Sequence, residues 1–258
     1  MFWGRPSRII NQCKSLKKKV EKKSEIIENF KTAIGSTIKS LSDTENIEVS
    51  FGNQSANSEN IKIKLPEVEL VNNKFNYNQI RALADSKSLK LRFSDQKTFK
   101  SFEPEGKISK ILYKIAEKIR CEKLGSDQFK GIKNNISKYY QERVNSLDLK
   151  NSEDKIIASF ENYLRVKFFD IKNDKEIEKK LKTYKKDLDE KFRDKIKELS
   201  TFTLNQSKYN SLISKLISKM SLDEIIEEQE NKEEDNKNEK TKDPKTDDQK
   251  TKEQKDEN

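Results

Sequence analysis

The sequence predicts a mainly α, multi-helix domain with one small β-hairpin near residues 47–65 and a disordered, charged C-terminal tail. Three observations carry this. Apolar residues recur at steps of three and four over most of the chain, the spacing of a buried helix face. Strict alternation of apolar and polar residues is confined to two five-residue runs, IEVSF and IKIKL. No aliphatic or aromatic residue follows Ile226, so the last stretch has nothing to bury against the entropy of ordering.

The elements follow in order. A basic N-terminal segment, residues 1–23, leads to a helix that Ser24 is placed to cap, with Ile26, Ile27, Phe30, Ile34, Ile38 and Leu41 along one face. Phe2, Trp3, Ile9 and Ile10 would give the basic start an apolar side suited to a membrane surface, but a frayed helix start explains them more simply. IEVSF and IKIKL, separated by a Gly/Asn/Ser-rich stretch, read as the hairpin, and Pro66 ends it. A helix is expected over 77–93 with Ile80, Leu83 and Ala84 inward, then an irregular piece holding Phe99 and Phe102. The next helix carries Ile108, Ile111, Leu112, Ile115 and Ile119 on one side. Gly125 is read as the residue just past its C-terminus, where a positive φ is needed. Ser126 or Asp127 would cap a further helix through Ile132, Ile136 and Tyr140. Ile156, Phe160, Leu164 and Phe168 mark another. The stripe Ile177, Leu181, Tyr184, Leu188, Phe192, Ile196 and Leu199 reads as a helix lying on its own domain, the alternative being a short coiled-coil seam. A last helix is expected around 204–226. The domain thus spans 24–226 and the charged tail 227–258.

Composition excludes more than it assigns. Charged residues make up 39% of the chain and apolar ones 31%, so the core is thin for 258 residues. The net charge is +10, yet the tail carries 13 acids against 8 lysines, which leaves +15 on the rest. Such a field suits a polyanion, and a basic helical nucleic-acid-binding protein is the alternative reading. Only 8 of the 55 basic residues are arginine, however, and lysine at solvated helix positions accounts for the excess. Most Phe and Tyr residues also fall on core-periodic positions instead of an exposed stacking face, so nucleic acid is the disfavoured partner. The absence of histidine removes the commonest general base and metal ligand. Cys13 and Cys121 have no CxxC spacing, so no zinc or redox motif is supported. Two lone cysteines, no bilayer-length apolar run and no secretory h-region together suit a cytoplasmic protein.

Tests for chemistry return nothing. Gly106-Lys107 is followed by Ile108 and lacks the upstream glycine of a phosphate-binding loop. Asp85-Ser86-Lys87-Ser88 has the wrong spacing for a metal-ion-dependent adhesion turn. No catalytic, metal-binding or cofactor-binding residue is therefore assigned. Arg120 and Glu122, two apart on a helix, point in different directions. Arg120 can meet Glu117, and both read as ties to neighbouring helices.

One block has polar residues that periodicity does not demand: RALADSKSLKLRFSD, then Pro104-Glu105-Gly106, then RCEKLG, then FKGIKNNI. It resembles the N-terminal region of the CobT subunit of aerobic cobaltochelatase, through Arg81, Ala84, Asp85, Ser86, Leu89, Arg120, Glu122, Gly125, Gly131 and Asn135. FKTAIGSTIKSLSDTENIEVSF and Met220-Ser221-Leu222-Asp223 fit the same order. The likeness covers most of residues 25–235 and is densest over 81–136.

The resemblance implies a subunit of an ATP-dependent ligase that inserts cobalt into hydrogenobyrinic acid a,c-diamide in cobalamin biosynthesis. It implies two partners: an AAA+ ATPase subunit that binds Mg-ATP, and a large porphyrinoid-binding subunit. ATP, Mg and Co belong to the complex and none to this chain. Arg81, Asp85, Ser86, Arg120, Glu122, Gly125, Gly131 and Asn135 become its signature and interface candidates. Two departures stand out. A histidine-containing segment of the family reads Arg92-Phe93-Ser94-Asp95 here. The family also continues beyond an acidic linker into a von Willebrand A domain, so this chain reads as a fragment, a split-gene product or a degenerate copy.

Overall fold

A computed structural model describes residues 7–53, 60–71, 74–149, 151–173, 175–220 and 222, with the side chains of residues 7–20, 71, 176 and 180 outside the description. The expected tail at 227–258, the apolar N-terminal side chains and the end of the last expected helix lie outside the described residues. One compact unit comprises Met1–Met220 and holds every element named below.

The expectation of a mainly α fold holds: among the described residues there are ten helices and two very small sheets. Helix α1 (Ser7–Ser42) buries Ile34 and Ile38 and half-buries Ile27, Phe30 and Leu41 of the predicted stripe, whereas Ile26, expected on the same face, is exposed. It begins well before Ser24, which therefore lies inside the helix and caps nothing. Ser42 bonds back to the Ile38 carbonyl at 2.7 Å, and Asp43, at φ 57°, ends the helix in the left-handed conformation.

Strands β1 (Ile47–Phe51) and β2 (Ile61–Leu65) are both present, but they are not a hairpin. They pair in parallel, Ile47 opposite Ile61 through Phe51 opposite Leu65. Alternation reports which face a residue occupies and carries no information on chain direction, so the pattern supported either pairing. Two further short strands, β3 (Leu70–Val71) and β4 (Lys74–Phe75), pair antiparallel.

Helix α2 (Tyr77–Phe93) matches its predicted span and α3 (Gln96–Ser101) occupies the stretch expected to be irregular. Asp95 caps α3 by accepting the Thr98 N–H at 2.7 Å. Between α1, β1, β2 and α2 lies the first core: Ile34, Ile38, Ile47, Phe51, Ile63, Leu65, Val68, Ile80 and Ala84. Each such fully buried aliphatic or aromatic side chain contributes about 1.5–3 kcal/mol relative to exposure.

Helix α4 (Lys107–Gln128) is central, packing on α2, α5 (Lys130–Asn145), α6 (Ser152–Phe169) and α10 (Gln206–Ser218). It does not stop at Gly125. The helix runs on to Gln128, and Phe129, not Ser126 or Asp127, stands at the start of α5 with no side-chain cap. Gly125 is needed for a different reason: a Cβ there would lie 2.3 Å from Cδ2 of buried Leu89 on α2. The glycine lets the two helices approach. Leu89, Cys121, Ile132 and Ile136 form the second core at this crossing.

The 177–199 stripe packs onto its own domain, and no coiled-coil seam forms. It is broken into α7 (Lys175–Lys180), α8 (Lys185–Phe192) and α9 (Ile196–Thr201). Three-residue turns, Lys185 N–H to the Lys182 carbonyl and Lys195 N–H to the Phe192 carbonyl, tighten the chain at the breaks. Ile177, Leu181, Tyr184, Leu188, Phe192 and Leu199 are all buried nonetheless, because steps of three and four survive such turns. Phe192 meets the rings of Phe160 and Tyr163 edge-on at 5.6 and 6.1 Å.

Candidate functional site

The signature residues converge on the region where α2, α4 and α5 cross, and they divide into two buried networks and one open groove. The first network starts at Ser86 of α2, whose hydroxyl donates to Glu122 Oε1 at 2.5 Å. Glu122 Oε2 lies 2.8 Å from Nη1 of Arg165 on α6. Arg165 Nε donates to Glu161 Oε1 at 3.0 Å, and Glu161 also pairs with Arg143 of α5. The Arg165 guanidinium stacks over the Tyr140 ring at 4.7 Å, and the Tyr140 hydroxyl donates to Asn162 Oδ1 at 3.0 Å. Four helices are thereby joined through charge in a place with almost no water.

Burial alone would raise the Glu161 carboxyl. Arg165, Arg143 and Lys118 outweigh it and hold the group down at about 2. Arg165 is shifted up: burial opposes its charge, and Glu122 and Glu161 more than offset that. The space bounded by Ser86, Glu122, Tyr140 and Arg165 is about 10 Å³, room for one water at most. It is a filled junction and not a ligand pocket.

The second network ties α4 to the ends of α2 and α9. Arg120 makes a two-point pair with Glu117, Nε to Oε2 and Nη2 to Oε1, both at 2.8 Å. The same guanidinium donates to the backbone carbonyls of Thr203 at 2.8 Å and Phe93 at 2.6 Å. Ser94 Oγ donates to Glu117 Oε1 at 2.7 Å, and the Tyr209 hydroxyl to the Ala116 carbonyl at 3.1 Å. Arg120 meets Glu117, as the spacing allows, and Arg120 and Glu122 both tie α4 to neighbouring elements, as expected.

The third group is Asp85, Asn135 and Gly131. Asn135 Nδ2 donates to Asp85 Oδ2 at 2.9 Å across the α2–α5 contact. Asp85 is buried, which raises its pKa; Asn135 and the charge of Arg81 offset only part of that. Arg81 itself lies 6.0 Å from the Phe30 ring centre on α1. Asp85, Gly131 and Asn135 border an open groove of about 570 Å³ whose other walls include Ser36, Thr37 and Ser40 of α1, Arg92, and Phe129. Nothing stands within 4 Å of a Cβ built on Gly131, and Phe129 is 45% exposed. Gly131 therefore keeps a surface low, whereas Gly125 closes a core.

The model of the family described as cobalamin biosynthesis protein CobT matches residues 24–258. The chain belongs to the CobT family. That family's place is in cobalamin biosynthesis, as a subunit of a multi-subunit cobaltochelatase. No solved structure matches the chain.

Within this CobT-family chain the signature block performs framework chemistry. Among the described residues no group of three or more His, Cys, Asp or Glu side chains is placed to hold a metal ion. Cys121 is fully buried, and its thiol is pushed up, first by burial and then by Glu117. No helix among the described residues is long and apolar enough to cross a membrane.

Glu161, Arg165 and Arg143 are missing from the sequence-derived candidates although they complete the Glu122 network. A signal for them exists. In a chain that writes nearly every cation as lysine, Arg120, Arg143 and Arg165 mark the positions that need a planar fork of donors.

Proposed function

We propose that this chain supports cobalt insertion into hydrogenobyrinic acid a,c-diamide as a subunit of ATP-dependent cobaltochelatase, acting through protein contacts. The observation that carries this reading is the family match over 24–258, combined with Arg120 and Glu122 buried and each paired to a charge outside the signature, Glu117 and Arg165. Groups so engaged hold a shape and have no free valence for a substrate.

The partners in this reading are an AAA+ ATPase subunit, which takes Mg-ATP, and a large subunit, which takes the macrocycle; cobalt is substrate. The groove of Asp85, Asn135, Gly131 and Phe129 is the proposed contact face for the ATPase subunit. It combines an exposed aromatic ring, an unobstructed glycine and a buried carboxylate fixed by Asn135. An anchor ring beside a low surface is the arrangement that seats a partner's side chain.

Co-purification of the full chain with the ATPase subunit tests the proposal. The parent chain is expected to be retained, and Gly131→Arg and Phe129→Glu to abolish retention with an unchanged circular dichroism spectrum. Absence of retention by the folded parent chain would overturn the role. Retention by both variants would overturn the assigned face.

A further inference from the structure

A second concave site lies away from the signature residues, between α6 and the α7–α8 segment, with a volume of about 820 Å³. Small-molecule sites typically occupy about 300–1,000 Å³. Tyr163, Val166, Leu181 and Leu188 contribute ring and aliphatic surface to it. Its charged lining is one-sided: Lys167, Lys175, Lys179, Lys182, Lys185 and Arg193 against Glu178 and Asp189.

The lysine-rich composition does not by itself explain this rim. On α4, Lys107, Lys110, Lys114, Lys118 and Lys123 each lie within 4 Å of a carboxylate. Around the α6–α8 concavity none of the six cations forms an ion pair among the described residues. An excess of positive over negative charge above low-dielectric walls focuses the field into the concavity. A second observation concerns a polar atom in the same lining. The Asn173 Oδ1 is buried with no hydrogen-bond partner among the described residues, which folded proteins rarely tolerate. The Tyr163 hydroxyl faces the Asp189 carboxylate, and burial first, then that charge and hydrogen bond, raise its pKa.

We infer that this site binds a small organic polyanion, an apolar body carrying two or more carboxylate or phosphate groups. The rim cations meet its anionic groups, and Asn173 accepts from a donor on its body. The apolar surface selects against a bare inorganic ion, and six converging cations select for more than one negative group.

The test is equilibrium binding by the full chain at about 0.1 M salt, where exposed charges beyond about 10 Å are screened. Three probes are used: coproporphyrin III (ring-borne carboxylates), trinitrophenyl-ATP (a phosphate chain on an aromatic body) and tripolyphosphate (charge without a body). At least one body-bearing probe is expected to saturate a single site, more tightly than tripolyphosphate. Comparing the two shows whether carboxylate or phosphate is the preferred anion.

The triple variant Lys167→Ala, Lys182→Ala, Lys185→Ala should weaken that binding about tenfold or more. The triple variant Lys110→Ala, Lys114→Ala, Lys123→Ala removes equal charge from α4 and should leave it within about twofold. Failure of both body-bearing probes overturns the inference, as does equal binding of tripolyphosphate or an equal loss in the α4 variant. Because no partner subunit takes part, its failure is distinguishable from failure of the ATPase contact.

Discussion

Replacing Gly125 by alanine sets two effects of opposite sign against each other at one position. Gly125 sits three residues inside the C-terminal end of α4, where alanine is intrinsically the better helix former by about 1 kcal/mol. Against this, the new Cβ would lie 2.3 Å from Leu89 Cδ2, 2.5 Å from Cδ1 and 2.9 Å from Cγ. Carbon atoms in contact sit about 3.5–4.0 Å apart, so α2 and α4 must separate or Leu89 must leave its rotamer. Leu89 is fully buried among Cys121, Ile132 and Ile136 and has nowhere to swing. Overpacking of this kind costs about 1–3 kcal/mol, and three overlapping atoms place it at the upper end. The steric effect wins, with a net loss of about 2 kcal/mol.

Urea denaturation followed by far-ultraviolet circular dichroism measures that loss, and Tm should fall by about 4–8 °C. Coupling provides the sharper readout. Leu89→Ala alone should cost about 2–5 kcal/mol, and the double variant less than the sum of the two singles by about 1 kcal/mol or more. A Gly125→Ala chain as stable as its parent would refute the close approach of α2 and α4, and with it the reading of this glycine.

Other consequences of the same geometry can be measured directly. Glu161 is held at about 2 against an ordinary 4.5, so it contributes stability that is fully present above about pH 4.5 and is lost as the pH falls toward 2, at most about 3 kcal/mol. The stability difference between parent and Glu161→Gln in urea should therefore be constant above about pH 5 and shrink below it; a flat difference down to pH 3 would contradict the assignment. Arg165→Met leaves Glu122 and Glu161 buried without their shared cation and should cost about 3–5 kcal/mol, part of which Glu161→Gln on the same chain restores. In a Cys13→Ser background, Cys121 should resist iodoacetamide at pH 8 until denaturant is added; labelling of the folded chain would show that α4 opens.

Much of the fold could be read from the chain because burial imposes a period. The α2 span and the inward stripe of α1 follow from apolar spacing, and Ile34, Ile38, Ile80 and Ala84 at those positions belong to the first core. Three features were not legible, each for a physical reason. Glycine serves both a left-handed helix end and a close helix crossing, and only the position of Leu89 in space separates the two at Gly125. Alternation is the same in parallel and antiparallel strands, so IEVSF and IKIKL could not disclose their relative direction. The 177–199 stripe obeys helical spacing although the chain turns twice within it, because each break keeps the next apolar residue facing α6 or its neighbours. Of the signature region, the Arg120–Glu117 pair followed from spacing along one helix. The Glu122–Arg165 contact, between residues 43 apart, depended on how α6 packs.

Arg120 and Glu122 stand about 200° apart around the α4 axis, at about 100° per residue. One grips the ends of α2 and α9, and the other grips α2 and α6 from the far side. The helix is keyed like a splined shaft. It cannot roll in its bed without tearing charged contacts on opposite flanks at once, so a torque applied at the α2–α5 groove reaches α6 and α10 with little twist lost on the way. A helix held on both flanks in this way turns only together with the helices that grip it.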